Sequence, residues 1–308
     1  MVKINFFCGK GGVGKTTSAV SLALAKSRSG EKTLLIDYDG GHSVKNILRI
    51  DQDVPNNEVY NVINHPNLSI CIVENFAFKT ISETQNDDIG FDEYFNQFPG
   101  EFGIVPFADM IHCFFGVPSD IGTLQKFITL IKILTHARDK FDSVIVDVEP
   151  TAGFERLLNT SNLIVRSLNN LQKTGVISLR FIGMKWPDVG KYLKTSYIKK
   201  VDIYTRQIIS GVDLIKEGNY FLVCIPESGP VSQLVEVHNI INKFGCSVNG
   251  CVINNIRGEG YELNNIQLAE GYGFPTVKIT HNEKLHTRLE EDYFSILSDN
   301  GEKIKGLI

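Results

Sequence analysis

Gly9-Lys10-Gly11-Gly12-Val13-Gly14-Lys15-Thr16-Thr17 follows directly on the apolar run Val2 to Cys8 near the amino end of the chain. The stretch fits G-x-x-x-x-G-K-[ST], a loop whose backbone N–H groups close around phosphate oxygens. In that pattern Lys15 reaches the β- and γ-phosphates, and the Thr16 hydroxyl holds Mg²⁺. The surroundings suit the loop. Val2 to Cys8 reads as a short buried strand, and Thr16 to Lys26 as a helix rich in Ala, Leu and Ser. All nine residues from Gly9 to Thr17 are therefore candidate nucleotide-binding residues.

Outward from the loop, strand-like and helix-like segments alternate. Strands are expected at Lys32 to Ile36, Asn67 to Glu74, Ser143 to Val146, Phe221 to Ile225, Val248 to Ile253 and Thr276 to Ile279. Helices are expected at Ile121 to Lys140, Glu155 to Thr160, Val231 to Phe244 and Asn264 to Tyr272. This alternation predicts an α/β fold: a mostly parallel sheet with helices on both faces, of the P-loop NTPase kind. Two segments fit the sheet poorly, about 76–120 and about 165–215. They read either as an inserted helical subdomain or as long ordered loops, within a single P-loop domain spanning 1–308.

Three further positions supply groups for an NTPase site. Asp39 follows the second strand and can orient or deprotonate an attacking water. Asp37 competes with it, through a bond to Thr16 or to the metal by way of water. Asp147 closes the apolar run SVIV and has the form of a Walker B aspartate, which binds Mg²⁺ directly or through water. Asn254 ends the VNGCVI run; its amide can pair with adenine, or it is an ordinary strand-end Asn.

The composition sets bounds on function. The chain has 308 residues, 43% of them hydrophobic, and a formal net charge of −4. No global basic field favours nucleic acid. No run of eighteen apolar residues predicts a spanning helix, and the amino end lacks the features of a signal peptide. Cys8, Cys71, Cys113, Cys224, Cys246 and Cys251 are scattered, as expected for reduced thiols in a cytoplasmic protein.

Lys10 in G-K-G-G-V-G-K-T-T resembles the deviant loop of a class that includes arsenical-pump ATPases, tail-anchored-protein targeting ATPases, nitrogenase iron protein and ParA/MinD partitioning proteins. Asp147-Val148-Glu149-Pro150-Thr151-Ala152-Gly153 with Arg156-Leu157-Leu158 resembles the D-T-A-P-T-G-H-T-x-R-L-L switch of the first two. Asp39-Gly40-Gly41-His42-Ser43, Ile225-Pro226-Glu227 and Val252-Ile253-Asn254-Asn255 are similar to their D-P-A-H-[SN], I-P-E and V-V-N-Q segments. The resemblance implies a Mg-ATP-dependent homodimer with nucleotide at its interface. In it Lys10 acts on the partner's nucleotide, Asp39 handles the water, Asp147 senses the metal and Asn254 touches the base.

The chain also departs from that family. Gly40-Gly41 replaces Pro-Ala, and Glu149 replaces a small residue; Glu149 is either a second carboxylate near the metal or a solvated switch residue. No C-x-x-C pair is present, so no dimer-bridging zinc is expected. The resemblance implies a hydrophobic protein client or a membrane-associated partner. The apolar run Phe102 to Val117 is a candidate surface for either, or a piece of subdomain core. A ParA/MinD-like positioning ATPase is the alternative, since Asp37-x-Asp39 is that group's spelling. Against it, Tyr293 to Ile308 does not read as a basic amphipathic helix.

Overall fold

The computed structural model describes residues 2–41, 43–74, 121–170, 195–287 and 292–308. The chain divides into two compact units. One comprises Met1–Glu74, His136–Arg156 and Leu214–Ile308; the other comprises Asn75–Thr135 and Leu157–Asp213.

The first unit is built on an eight-stranded sheet. Its strands are β1 (Lys3–Cys8), β2 (Thr33–Asp37), β3 (Tyr60–Asn61), β4 (Leu68–Ile72), β5 (Ser143–Asp147), β6 (Asn219–Cys224), β7 (Val248–Ile256) and β8 (Thr276–Thr280). The spatial order is β3-β4-β2-β5-β1-β6-β7-β8. Every pairing is parallel except β3 with β4. All residues of β2, β4 and β5 are buried. Strands covered on both faces are predominantly apolar, as in Leu34-Leu35-Ile36, Ile70-Cys71-Ile72 and Val144-Ile145-Val146, which is why these segments stand out in the sequence.

Register at the centre is fixed by two devices. On one face Phe6 stacks on Tyr220, and on the other Phe7 stacks on Phe221, with ring centroids 4.9 and 5.5 Å apart. Their strand neighbours are the same pairs, so the stacking locks β1 beside β6. At the opposite end from the loop, Asn5 Nδ2 donates to Ser143 Oγ at 3.3 Å, and Asn219 Nδ2 donates to Asn5 Oδ1 at 3.1 Å. This buried ladder ties β5, β1 and β6 together. A slip by one residue would orphan every member of it.

The helix after the loop, α1 (Lys15–Arg28), buries Ala19, Val20, Leu22, Ala23, Leu24 and Ala25 completely. A helix apolar on all sides must be covered on all sides. The sheet covers one side of it, and the last helix of the chain, Tyr293–Lys305, packs on it too. That C-terminal helix buries Tyr293, Leu297 and Ile304, so the residues beyond Tyr293 spend their apolar side on packing.

The structure extends several expected elements. β5 runs one residue further, through Asp147. β7 runs to Ile256, which puts Asn254 inside a strand rather than at its end. The helix expected at Glu155 to Thr160 spans Thr151–Asn170 and crosses from the first unit into the second. The five-residue helix Ser43–Ile47 and the two-residue strand β3 are additional to the expected set. In the second unit the described residues lie in helices, within Ile121–Ala137, Thr151–Asn170 and Thr195–Lys216. Residues 75–120 and 171–194, with the Phe102 to Val117 run, lie outside the described residues.

Candidate functional site

In the strand order, β1 has β5 on one side and β6 on the other, while the chain from β1 goes first to β2. That reversal makes a crevice at the carboxyl ends of the strands, where open parallel sheets bind ligands. The expected site residues fall there.

Gly9 to Gly14 join β1 to α1. Gly14 is the N-cap of α1 at φ +93°, a left-handed conformation that glycine adopts without strain. Gly11, Gly12 and Lys10 are exposed, Val13 is buried, and Thr16 and Thr17 are half-buried in the first turn of α1. The α1 amino end thus presents unbonded N–H groups and the positive pole of its dipole to the crevice. Lys15 is 5% exposed, and its Nζ donates to the Lys10 carbonyl at 3.2 Å. The cation is folded back along the loop.

Lys10 is exposed, with its side chain beside Gly229. Its Nζ lies 4.0 Å from where a Cβ on Gly229 would stand, at the start of the helix Ser228–Lys243.

β2 and β5 bring two carboxylates side by side, since Asp37 and Asp147 are register partners. Both are buried, 1% and 0% exposed. Asp37 Oδ1 accepts the Gly40 N–H at 3.1 Å, which shapes the turn after β2. Among the described residues neither carboxylate oxygen of Asp147 has a hydrogen-bond partner, and Thr151 Oγ1, opening the next helix, has none either. Burial pushes the Asp147 carboxyl up to about 7. The nearby Asp37 and Asp39 add to the rise, while the Thr16 side chain and Lys15 pull against it. The Thr16 hydroxyl is close enough to be felt, yet no hydrogen bond of good geometry joins it to the carboxylate.

Asp39 is half-buried just past β2. The Tyr38 N–H donates to the Asp147 carbonyl at 2.9 Å, which ties the two strand ends together. Glu149 faces Arg156 at 3.8 Å across the first turn of Thr151–Asn170. His42, within the segment Asp39 to Ser43, lies outside the described residues.

Asn254 is joined to the loop itself, its Nδ2 donating to the Val13 carbonyl at 3.1 Å. The site thus gathers the loop, Asp37, Asp39, Asp147 and Asn254 from four parallel strands, although they span the chain from residue 9 to residue 254.

Sequence reasoning passed over two neighbours. Tyr38 is buried between the strand ends. Burial raises its phenol pKa, Glu149 adds to the rise, and Arg156 opposes it. Glu262 is 3% exposed and accepts N–H groups from Arg257, Gly258 and Glu259 at 2.7 to 3.1 Å, which folds the turn after β7. The Arg257-Gly258-Glu259-Gly260 run was the available signal for that turn.

The five described cysteines are buried free thiols. No helix among the described residues is long and apolar enough to cross a membrane.

Comparison with known proteins agrees with this geometry. The chain matches the anion-transporting ATPase family over residues 2–268. It is 24% identical over 266 residues to ATPase ASNA1 homolog 2 of Paramecium tetraurelia, covering 82% of this chain and 75% of that one. It is 27% identical over 269 residues to an ATPase ASNA1 homolog of Entamoeba dispar, with coverage of 82% and 75%. Among solved structures, the septum site-determining protein MinD from Pyrococcus horikoshii, complexed with Mg-ADP, aligns over 100% of this chain and 97% of its own. The TM-score is 0.54 at 12% identity, a likeness of fold. A phosphate loop at the switch point, two register-paired aspartates beside it and a family match over residues 2–268 lead to one statement: this chain belongs to the anion-transporting ATPase family and is an ATP hydrolase.

Proposed function

We propose that the protein is a Mg-ATP-dependent switch of the arsenical-pump and tail-anchored-targeting type. On this reading it acts in the cytoplasm as a homodimer with nucleotide at the interface. It couples hydrolysis to the handling of a hydrophobic protein client or a membrane-associated partner, and nucleic acid is not its ligand. One observation carries the reading: a complete phosphate loop opens directly onto the buried Asp37–Asp147 pair.

The roles follow from chemistry. Loop amides from Gly9 to Thr17 and the α1 amino end hold the phosphates. Lys15 leaves the Lys10 carbonyl and turns to the β- and γ-oxygens. The residues fit a magnesium ion, because Asp147 holds two buried carboxylate oxygens without partners beside the Thr16 hydroxyl. Among the described residues no three His, Cys, Asp or Glu side chains converge on one point. One or two protein oxygens plus the substrate's phosphates is the coordination Mg²⁺ prefers. When bound, the ion neutralises charge across the β- and γ-phosphates.

Asp39 orients the attacking water and takes its proton as the new P–O bond forms and ADP leaves with the electrons of the old one. Lys10, exposed at the loop, supplies a second cation to the partner's nucleotide where charge develops. Asn254 keeps one N–H and its carbonyl for the base. The pairing of Tyr38 with Asp147 links the first switch to the second, so that loss of the γ-phosphate reaches Thr151–Asn170 and the second unit. The helical part of that unit is the proposed client-facing subdomain.

The experiment is light scattering on Asp39→Asn with Mg-ATP and with Mg-ADP, alongside Lys10→Ala. Asp39→Asn should remain a dimer in ATP and a monomer in ADP. Lys10→Ala should bind ATP as the native protein does and hydrolyse it at least about a hundredfold more slowly. A protein that stays monomeric in both nucleotides would overturn the reading. ATP-dependent retention on anionic vesicles or on DNA would favour the alternative, a partitioning-type positioning ATPase. That alternative draws on the same fold likeness and on the spelling Asp37-x-Asp39.

A further inference from the structure

A loop whose amides turn toward an anion must turn its carbonyls the other way, and those carbonyls need partners of their own. Two are provided for by side chains. The Lys10 carbonyl is bonded by Lys15 Nζ, and the Val13 carbonyl by Asn254 Nδ2. The second bond spans 241 positions of sequence and joins β7 to the loop. The same amide nitrogen occupies the place where a side chain on Gly14 would begin. Gly14 is thereby confined to glycine twice over, by its φ of +93° and by Asn254.

The Val13–Gly14 peptide is a planar unit. Its carbonyl and its N–H point in opposite directions, so fixing one fixes the other. Asn254 anchors the carbonyl, and the Gly14 N–H is therefore aimed away from β7. Glycine on one side of that peptide leaves it free to rotate when unanchored.

We propose that Asn254 is a positioning residue of the phosphate loop. Its amide holds the Val13–Gly14 peptide in the orientation that receives a triphosphate, and this contribution to affinity is independent of any base. The proposal rests on reading Gly9 to Thr17 as a triphosphate site, and it goes beyond the base contact expected of Asn254. An Asn amide carries two N–H donors and one acceptor, so anchoring the loop consumes only one of three groups.

The test separates loop from base by using a ligand without a base. Calorimetry is run with Mg-ATP and with Mg-tripolyphosphate on the native protein, on Asn254→Ala and on Asn254→Asp. The Asp variant keeps the size of the side chain and loses the donor. Both variants should weaken tripolyphosphate binding by about tenfold, the worth of one hydrogen bond, and ATP binding by at least as much. The Gly14 amide resonance of the ligand-free protein should shift in both variants. That readout is local to the peptide and does not move for a general loss of stability.

Unchanged tripolyphosphate affinity in either folded variant, with ATP affinity reduced, would make Asn254 a base reader only and overturn the proposal. Native protein that binds ATP but not tripolyphosphate would overturn it as well. Native protein that binds neither would instead bring down the nucleotide-site reading on which the proposal stands.

Discussion

Asp147 and Glu262 are both carboxylates buried in the same unit, and the chain provides for them in opposite ways. Glu262 sits under the turn after β7 and accepts N–H groups from three consecutive residues, Arg257 to Glu259. Asp147 ends the central strand β5 with both oxygens unpartnered among the described residues and two other aspartates nearby. Hydrogen bonding to backbone amides is the ordinary way to keep a buried anion. The chain uses it where a turn has to be held. It withholds it where a strand end faces the phosphate loop, and a bare buried carboxylate there is a cost that folding alone has no reason to bear. The contrast marks which of the two acids is structural and which is there for a ligand.

The strongest way to break this contrast is to remove the cation that faces Asp147. Lys15 is buried beside the loop, and its charge already pulls the Asp147 carboxyl down against burial. Lys15→Ala should weaken ATP binding by roughly a hundredfold or more, since it removes a desolvated, charge-assisted partner of the phosphates. Calorimetry checks it. Affinity equal to that of the native protein would mean that the loop does not carry the nucleotide.

The next effect separates function from stability at Asp147 itself. Asp147→Asn should lower ATP turnover by about a hundredfold, because an amide replaces the proposed metal-binding carboxylate. In the ligand-free protein it should have the opposite effect on stability. A carboxyl raised to about 7 when folded, against 3.8 ordinarily, binds its proton more tightly in the native state. Its contribution is fully present below pH about 4 and is lost as pH climbs through about 7. Denaturant unfolding of the two proteins across pH 4 to 8 should therefore show Asp147→Asn gaining on the native protein as pH rises. The gap should level off on the order of 4 kcal/mol above neutrality. Parallel pH profiles would show that Asp147 pays no penalty for its charge.

How much of this was legible depends on how local each feature is in the chain. The loop declares itself because its glycines, Lys15 and Thr16 act from adjacent positions. Asp147 was readable as the charged stop of the apolar run Val144 to Val146, in a strand buried along its whole length. The register that sets Asp147 beside Asp37 was not readable, because two strands 110 residues apart choose their alignment by packing. The same holds for Asn254, whose partner Val13 lies at the other end of the chain. β3 has two residues on the edge of the sheet, too short for any periodicity. The C-terminal helix did not look basic and amphipathic, and its apolar positions Tyr293, Leu297 and Ile304 serve packing against α1. Glu262 was invisible for a different reason. Its partners are backbone N–H groups, which every residue has, so nothing in the side-chain sequence distinguishes a carboxylate that caps a turn from one in solvent.

That last point makes Glu262 the sharpest control for Asp147. Glu262→Gln keeps the shape and replaces one oxygen by a nitrogen that can only donate. Four N–H contacts converge on the two oxygens, with Oε2 receiving three of them. The amide can serve one group of them and must turn its own N–H against the rest. Losing charge-assisted bonds at a site 3% exposed should cost about 2 kcal/mol of stability and a few degrees in thermal midpoint. ATP turnover should stay close to native, because Glu262 serves the turn and touches no proposed phosphate or metal group. The two substitutions then form a crossed pair: neutralising Asp147 stabilises and inactivates, while neutralising Glu262 destabilises and leaves hydrolysis running. If Glu262→Gln instead cost turnover as heavily as Asp147→Asn, the turn after β7 would belong to the catalytic machinery. The division between a structural and a ligand-directed carboxylate would then fail.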